Sequence, residues 1–193
     1  LDISDIEPLS IVLPDMQKRM QAVHELKGGE VLRWERRCSE ANAAPDHGRM
    51  MPWRFIEISK GSRSALGEVF YQCLKDRDHL ATSLQLQEAR EKALRGPLLF
   101  LAVLNTADEA HEISKEEKLI SLGCAIQNVL LSAYALGFGS GLSSGKALQS
   151  QRLRDLLKLD DQEDPICFIT IGTVSISKPG RIRPNLSDYH SIF

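Results

Sequence analysis

Apolar positions along this chain fall into two rhythms, and the elements follow from them. Trp53–Ile58 alternates well enough to predict a strand. Pro97–Asn105, PLLFLAVLN, is apolar almost without interruption over strand length, the pattern of a buried central strand, and Pro165–Gly172, PICFITIG, predicts a third. Helical spacing takes over between them. Ser62–Lys75 carries Ala65, Leu66, Val69, Phe70 and Leu74 on one stripe, and Leu84–Leu94 is a polar helix ended by Gly96-Pro97. After the polar loop Thr106–Ser114, a long helix runs through Leu136 and is apolar on nearly every face, which assigns it to the interior or to a subunit interface. Gly137 is placed to cap it. GFGSGLSSG then leads into a helix from about Leu148 to Leu159.

Upstream, residues 1–15 read as an extended arm. Met16–Leu26 predicts a short helix stopped by Lys27-Gly28-Gly29, and Glu30–Ala43 a charged one. Residues 16–193 form the single domain. Long helices with few, separated strands predict an α+β fold, one layer of mainly antiparallel sheet flanked by helices.

Composition narrows the partners. At 193 residues the chain is long enough for a sizeable core, and a net charge of −2 gives no footprint for nucleic acid or an acidic membrane. No apolar run reaches membrane-span length, and the acidic N-terminus lacks the basic start of a secretory signal. Cys38, Cys73, Cys124 and Cys167 are scattered without metal-ligand spacing, so free thiols in a reducing cytoplasm are expected.

Two stretches carry candidate chemistry. Ala43–Phe55, AAPDHGRMMPWRF, fixes two turns with Pro45 and Pro52, admits a sharp bend at Gly48, and holds His47 and Arg49 between them as donors for an anion or a polar ring edge. Taken alone it is equally a helix-to-strand loop with a solvated His and Arg. GFGSGLSSGK fails as a dinucleotide fingerprint because a helix, not a strand, precedes it, and fails as a P-loop at Ser140 and Ala147. Gly141–Gly145 does match G-x-S-x-G, with Asp155 or Asp160 and then His190 downstream, so a serine hydrolase using Ser143 stays open.

Both stretches resemble the flavin-dependent nitroreductase family, in its short single-domain subfamily. AAPDHGRMMPWRF is similar to one signature. Glu117, Ser121, Gly123-Cys124-Ala125, Gln127-Asn128, Ala135–Gly139 and Ser144-Gly145 fall in place with the second, and Phe168–Thr173 with a downstream strand. The resemblance implies a homodimer with the long helix at its interface and FMN in a groove built by both subunits. It implies NADH or NADPH as reductant and a small-molecule acceptor, often a nitroaromatic or quinone. The flavin supplies the chemistry, so no catalytic side chain and no metal are expected.

The expected cofactor-binding residues are Lys18, Arg19, Met20, His47, Arg49, Leu142, Ser143, Ser144 and Arg183, with Arg181 an alternative to Arg183 in the tail. His47 matches the family's flavin-contacting His, and Leu142-Ser143-Ser144 the segment that the partner subunit lays against the ring. Lys18-Arg19-Met20 stands where the family has Arg-Arg-Ser, and Leu142-Ser143 where the subfamily often has Trp-Arg. Those departures keep a second reading alive, a non-catalytic flavin or small-ligand binder of the same fold.

Overall fold

A computed structural model describes residues 23–24, 38–107, 113–175 and 182–192. Among these residues five strands make one antiparallel sheet: β1 (Val23–His24), β2 (Trp53–Glu57), β3 (Leu98–Asn105), β4 (Gly139–Ser143) and β5 (Glu163–Val174). The order is β2-β3-β5, with β4 and β1 sharing the far edge of β5 end to end. Around it lie α1 (Arg63–Arg77), α2 (Ser83–Glu91), α3 (Lys115–Ala135) and α4 (Gln151–Leu157).

The uninterrupted apolar run of β3 has a simple cause. Successive side chains point to opposite faces, and both faces are covered. Leu98, Phe100, Ala102 and Leu104 pack with Leu122, Ala125, Ile126 and Val129 of α3. Leu99, Leu101 and Val103 pack with Leu66 and Val69 of α1 and Leu153 of α4. The β3–β5 register slips between Ala102 and Val103, opposite Pro165, which has no N–H to give the ladder. Cys167 of β5 is buried, and burial pushes its thiol up to about 11, while Cys73 and Cys124 are half-buried free thiols.

α3 begins in a capping box, Ser114 Oγ accepting from Glu117 N–H and Glu117 Oε2 from Ser114 N–H. It ends as Gly137 predicts. At φ +84°, Gly137 donates to Tyr134 O, and Phe138 donates to Ala133 O, a Schellman motif closed by the buried Phe138 ring. The helix has the length and apolarity of a membrane span, but its buried stripe belongs to the core. It is not buried all round: Leu119 and Ile120 are 43% and 66% exposed.

Three expectations need correction. Gly139–Ser143 is not a connector but the strand β4, paired from Gly139↔Gly172 to Ser143↔Phe168. Its Gly and Ser residues have little strand propensity, so the pairing with β5 makes the strand. Val23–His24 lies in the expected helix Met16–Leu26 yet pairs antiparallel with Thr173 and Val174. The charged helix expected to end at Ala43 closes as a 3-10 turn, Cys38–Ala43. The arm at 1–15 and the rest of those two helices lie outside the described residues.

Candidate active site

The turn before β2 is tightly wound. Gly48, Arg49 and Met51 all take positive φ, at +73°, +53° and +45°. Two of the three are not glycine, and such backbone strain collects where a site over-determines the chain. Asp46 braces it, its Oδ2 accepting from Met51 N–H at 2.6 Å. A Cβ on Gly48 would sit 2.8 Å from Ile113 Cδ1, so the turn lies close against the segment that leads into α3.

That approach joins the two sequence stretches. His47 Nδ1 donates to Glu117 Oε1 at 3.1 Å, while the other carboxylate oxygen serves the capping box of α3. The pair is open to solvent, with His47 68% and Glu117 45% exposed. The His47 hydrogen bond first, and the Ser114 backbone N–H second, hold the Glu117 carboxyl below its usual range. An ionised Glu117 fixes the ring so that His47 Nε2 is the nitrogen left for a ligand. Arg49 is exposed beside it.

Leu142, Ser143 and Ser144 are elsewhere. They line a cavity of about 840 Å³ on the α1 face of the sheet, with Gly141 and Gly145 beside them. Phe70, Leu74, Leu99 and Phe168 give this cavity an apolar floor, and its charged lining residues are Arg77, Lys92, Arg95 and Lys146. None of the four has an ion-pair partner among the described residues. Size and apolar floor fit a flat aromatic ring, the cationic margin fits a phosphate group, and the glycines leave the β4 edge free of side chains where a ring would approach.

The wall at Ala93–Pro97 is held from beneath. Arg63, 5% exposed, donates from Nε to Ile58 O at 2.9 Å and from Nη1 to Ala93 O at 3.0 Å and Gly96 O at 3.2 Å. Its Nη2 reaches Pro97 O at 3.2 Å. Burial lowers its pKa from the ordinary value, and the guanidinium remains charged.

His47 and Leu142–Ser144 therefore sit at opposite edges of the sheet, before β2 and on β4, with β3 and β5 between them. Three strand spacings make that roughly 14 Å. Lys18, Arg19, Met20 and Arg181 lie outside the described residues, and Arg183 is exposed in the tail and is not among the described residues that line the cavity. A nucleophile elbow is not formed. The sheet is antiparallel at every described pairing, Ser143 ends an edge strand, and among the described residues it has no hydrogen bond to a His or carboxylate.

Sequence reasoning passed over the four cavity cations, which come from three separated segments and read locally as solvated faces. Glu117 had a local signal, the Ser-x-x-Glu capping box ahead of an apolar run.

An α+β sheet layered between helices, with a strained His turn at one edge and an open cavity of about 840 Å³ with a basic margin at the other, is a frame suited to a cofactor that joins an aromatic ring to phosphate. Residues 31–173 match the Nitroreductase family, and the chain belongs to that family. YdjA of Escherichia coli K12, provisionally named an NAD(P)H nitroreductase, is 30% identical over 132 residues, 67% of this chain and 69% of its own. A Haemophilus influenzae protein with the same provisional name is 29% identical over 139 residues, 72% of this chain and 74% of its own. In structure, a nitroreductase-like protein of Bacillus cereus superposes with a TM-score of 0.79 at 15% identity, covering 97% of this chain and 96% of its own. The FMN-dependent nitroreductase NfnB of Mycobacterium smegmatis, solved with NADPH, gives 0.68 at 14%, covering 96% and 100%.

Proposed function

We propose that the chain is an FMN-dependent oxidoreductase, a homodimer that moves hydride from NADH or NADPH to a small acceptor such as a nitroaromatic or quinone. FMN, when bound, supplies the hydride-transfer chemistry at its ring N5. The observation that carries the reading is the separation of the two signature stretches. Within a chain β3 and β5 stand between His47 and Leu142–Ser144, so the two do not border one cavity, whereas a two-fold axis that brings one protomer's β2 edge to its partner's cavity would set both against one ring. The exposed Leu119 and Ile120 on α3 suit burial in such an interface.

In this arrangement each group has a defined task. Leu142, Ser143 and Ser144 line the face of the cavity against which the ring lies, with Ser hydroxyls as adaptable donors and acceptors. Glu117 orients His47 so that Nε2 meets the ring edge of the partner's ligand. Lys18 and Arg19, with Arg183 or Arg181, supply cations for the FMN phosphate, and Met20 stands beside them in place of a hydroxyl. The apolar floor excludes water from the ring.

The test is a visible spectrum of protein mixed with FMN and then desalted. The wild type retains a yellow flavin spectrum, and His47→Ala loses most of it, with FMN affinity down about tenfold, the value of one hydrogen bond to the ring. Equal FMN affinity in both proteins removes His47 from the site. A colourless wild type withdraws the enzyme reading. Retained flavin without NAD(P)H turnover on a quinone leaves a non-catalytic binder, the reading favoured by Leu142 and Ser143 standing where an aromatic wall and a cation are expected.

A further inference from the structure

The FMN phosphate, on the reading above, is met by Lys18, Arg19 and the tail arginine, which leaves Arg77, Lys92, Arg95 and Lys146 without a task. These four come from α1, from the 3-10 turn after α2 (Lys92–Leu94) and its exit, and from the turn after β4, yet they border one cavity. No Asp or Glu is among the described residues lining it. Arg77 and Lys146 also line an adjoining cavity of about 390 Å³, whose single carboxylate, Asp76, is occupied by Arg152 at 3.1 Å. Among the described residues, then, these four cations have no ion-pair partner, whereas Arg54, Arg90 and Lys115 are paired away from the cavity and Arg152 of the adjoining one is paired with Asp76. Four cations with no described carboxylate beside them, around one concave apolar floor, focus a positive potential on it. The wall that carries Arg95 is not a loose loop either, because the buried Arg63 guanidinium ties the carbonyls of Ala93, Gly96 and Pro97 together and presents Arg95 from a fixed backbone.

We infer that this rim binds the 2′-phosphate of the reductant, so that the protein uses NADPH in preference to NADH. The inference rests on the FMN reading and deepens it. NADPH differs from NADH only by that monoester, which carries close to two negative charges at neutral pH. A dianion offered to unpaired guanidinium and ammonium groups gains charge-assisted hydrogen bonds that NADH cannot make. Arg77 and Lys146, shared by both cavities, carry the cationic lining from the larger cavity into the adjoining one.

Adenosine 2′,5′-bisphosphate and 5′-AMP serve as probes in titration calorimetry on FMN-treated, desalted protein. The bisphosphate is expected to bind at least tenfold tighter, with a gap that narrows as salt rises. The double variant Lys92→Gln/Arg95→Gln is expected to close most of the gap while keeping the wild-type melting temperature, since both side chains are exposed. In the yellow protein, kcat/KM should favour NADPH over NADH at least tenfold, and the double variant should lose that ratio through KM. Equal probe affinities, no binding of either, or a gap that survives the double substitution each overturns the inference. The flavin spectrum separates the two failures. A yellow protein that does not discriminate sinks the rim and leaves the oxidoreductase standing, whereas a colourless protein that still discriminates keeps the phosphate site and sinks the flavin reading.

Discussion

A single buried side chain, Arg63, shows how much of the site depends on residues outside it. Its guanidinium satisfies the buried carbonyls of Ile58 and Ala93 and the part-buried ones of Gly96 and Pro97. Arg63→Met would leave those acceptors unpaired, and the expected loss is about 3 kcal/mol of unfolding free energy. Arg63→Lys should recover little, because one ammonium cannot span acceptors that a planar fork reaches together. Urea denaturation measures both, and a Met variant within experimental error of wild type would show that the carbonyls find water instead. His47 works in the other direction. It is exposed and owes its orientation to Glu117, seventy positions away.

Among the elements, the α1–α2 contact turns on Gly67. A Cβ there would lie 2.7 Å from the backbone oxygen of Arg90, which cannot move without carrying α2 with it. Gly67→Ala is expected to cost about 2 kcal/mol, despite alanine's better helix propensity, because overpacking against backbone outweighs it. Gly61→Ala serves as the control, since its Cβ would meet nothing closer than Ser59 Oγ at 3.9 Å. Equal stability of the two variants would mean that α2 slides freely. The same scale shows which elements could be read from the chain. β3 and α3 announce themselves because burial on both faces, or along a whole stripe, demands an apolar sequence. β4 could not be read, because Gly-Ser-Gly-Leu-Ser is a strand only while β5 holds it.

For the whole molecule, charge pairing predicts the acid limb of stability. Glu68, Glu117 and Glu163 are all held below the usual carboxylate range, by Gln72 and Arg90, by His47 and Ser114, and by Arg54 respectively. A carboxyl with a depressed folded pKa contributes stability that is complete above its unfolded value, near about 4.3, and is lost as pH falls through the folded value. The urea midpoint is therefore expected to be flat from about pH 7 to pH 5 with respect to these groups, and to fall below about pH 4.3. Arg54→Met should flatten part of that fall, since Glu163 then loses the largest of the contacts that hold its carboxyl down. A midpoint that does not change between pH 5 and pH 3 would show that the pairs hold nothing in solution.

The chain by itself determined the layered α+β order, the buried strand at 98–105, the long helix with its Ser114 and Gly137 ends, and the family. The first three rest on local periodicity, capping chemistry or short-range spacing, and the family on the resemblance of two motif stretches. Only the tertiary structure decided that Glu117 meets His47, that Arg63 goes inside, and that four cations from three segments share one cavity. It also decided that the two signature stretches lie on opposite sheet edges. Strand order is set by which apolar faces find cover and which backbone edges find partners, and neither is written in the spacing of residues along the chain.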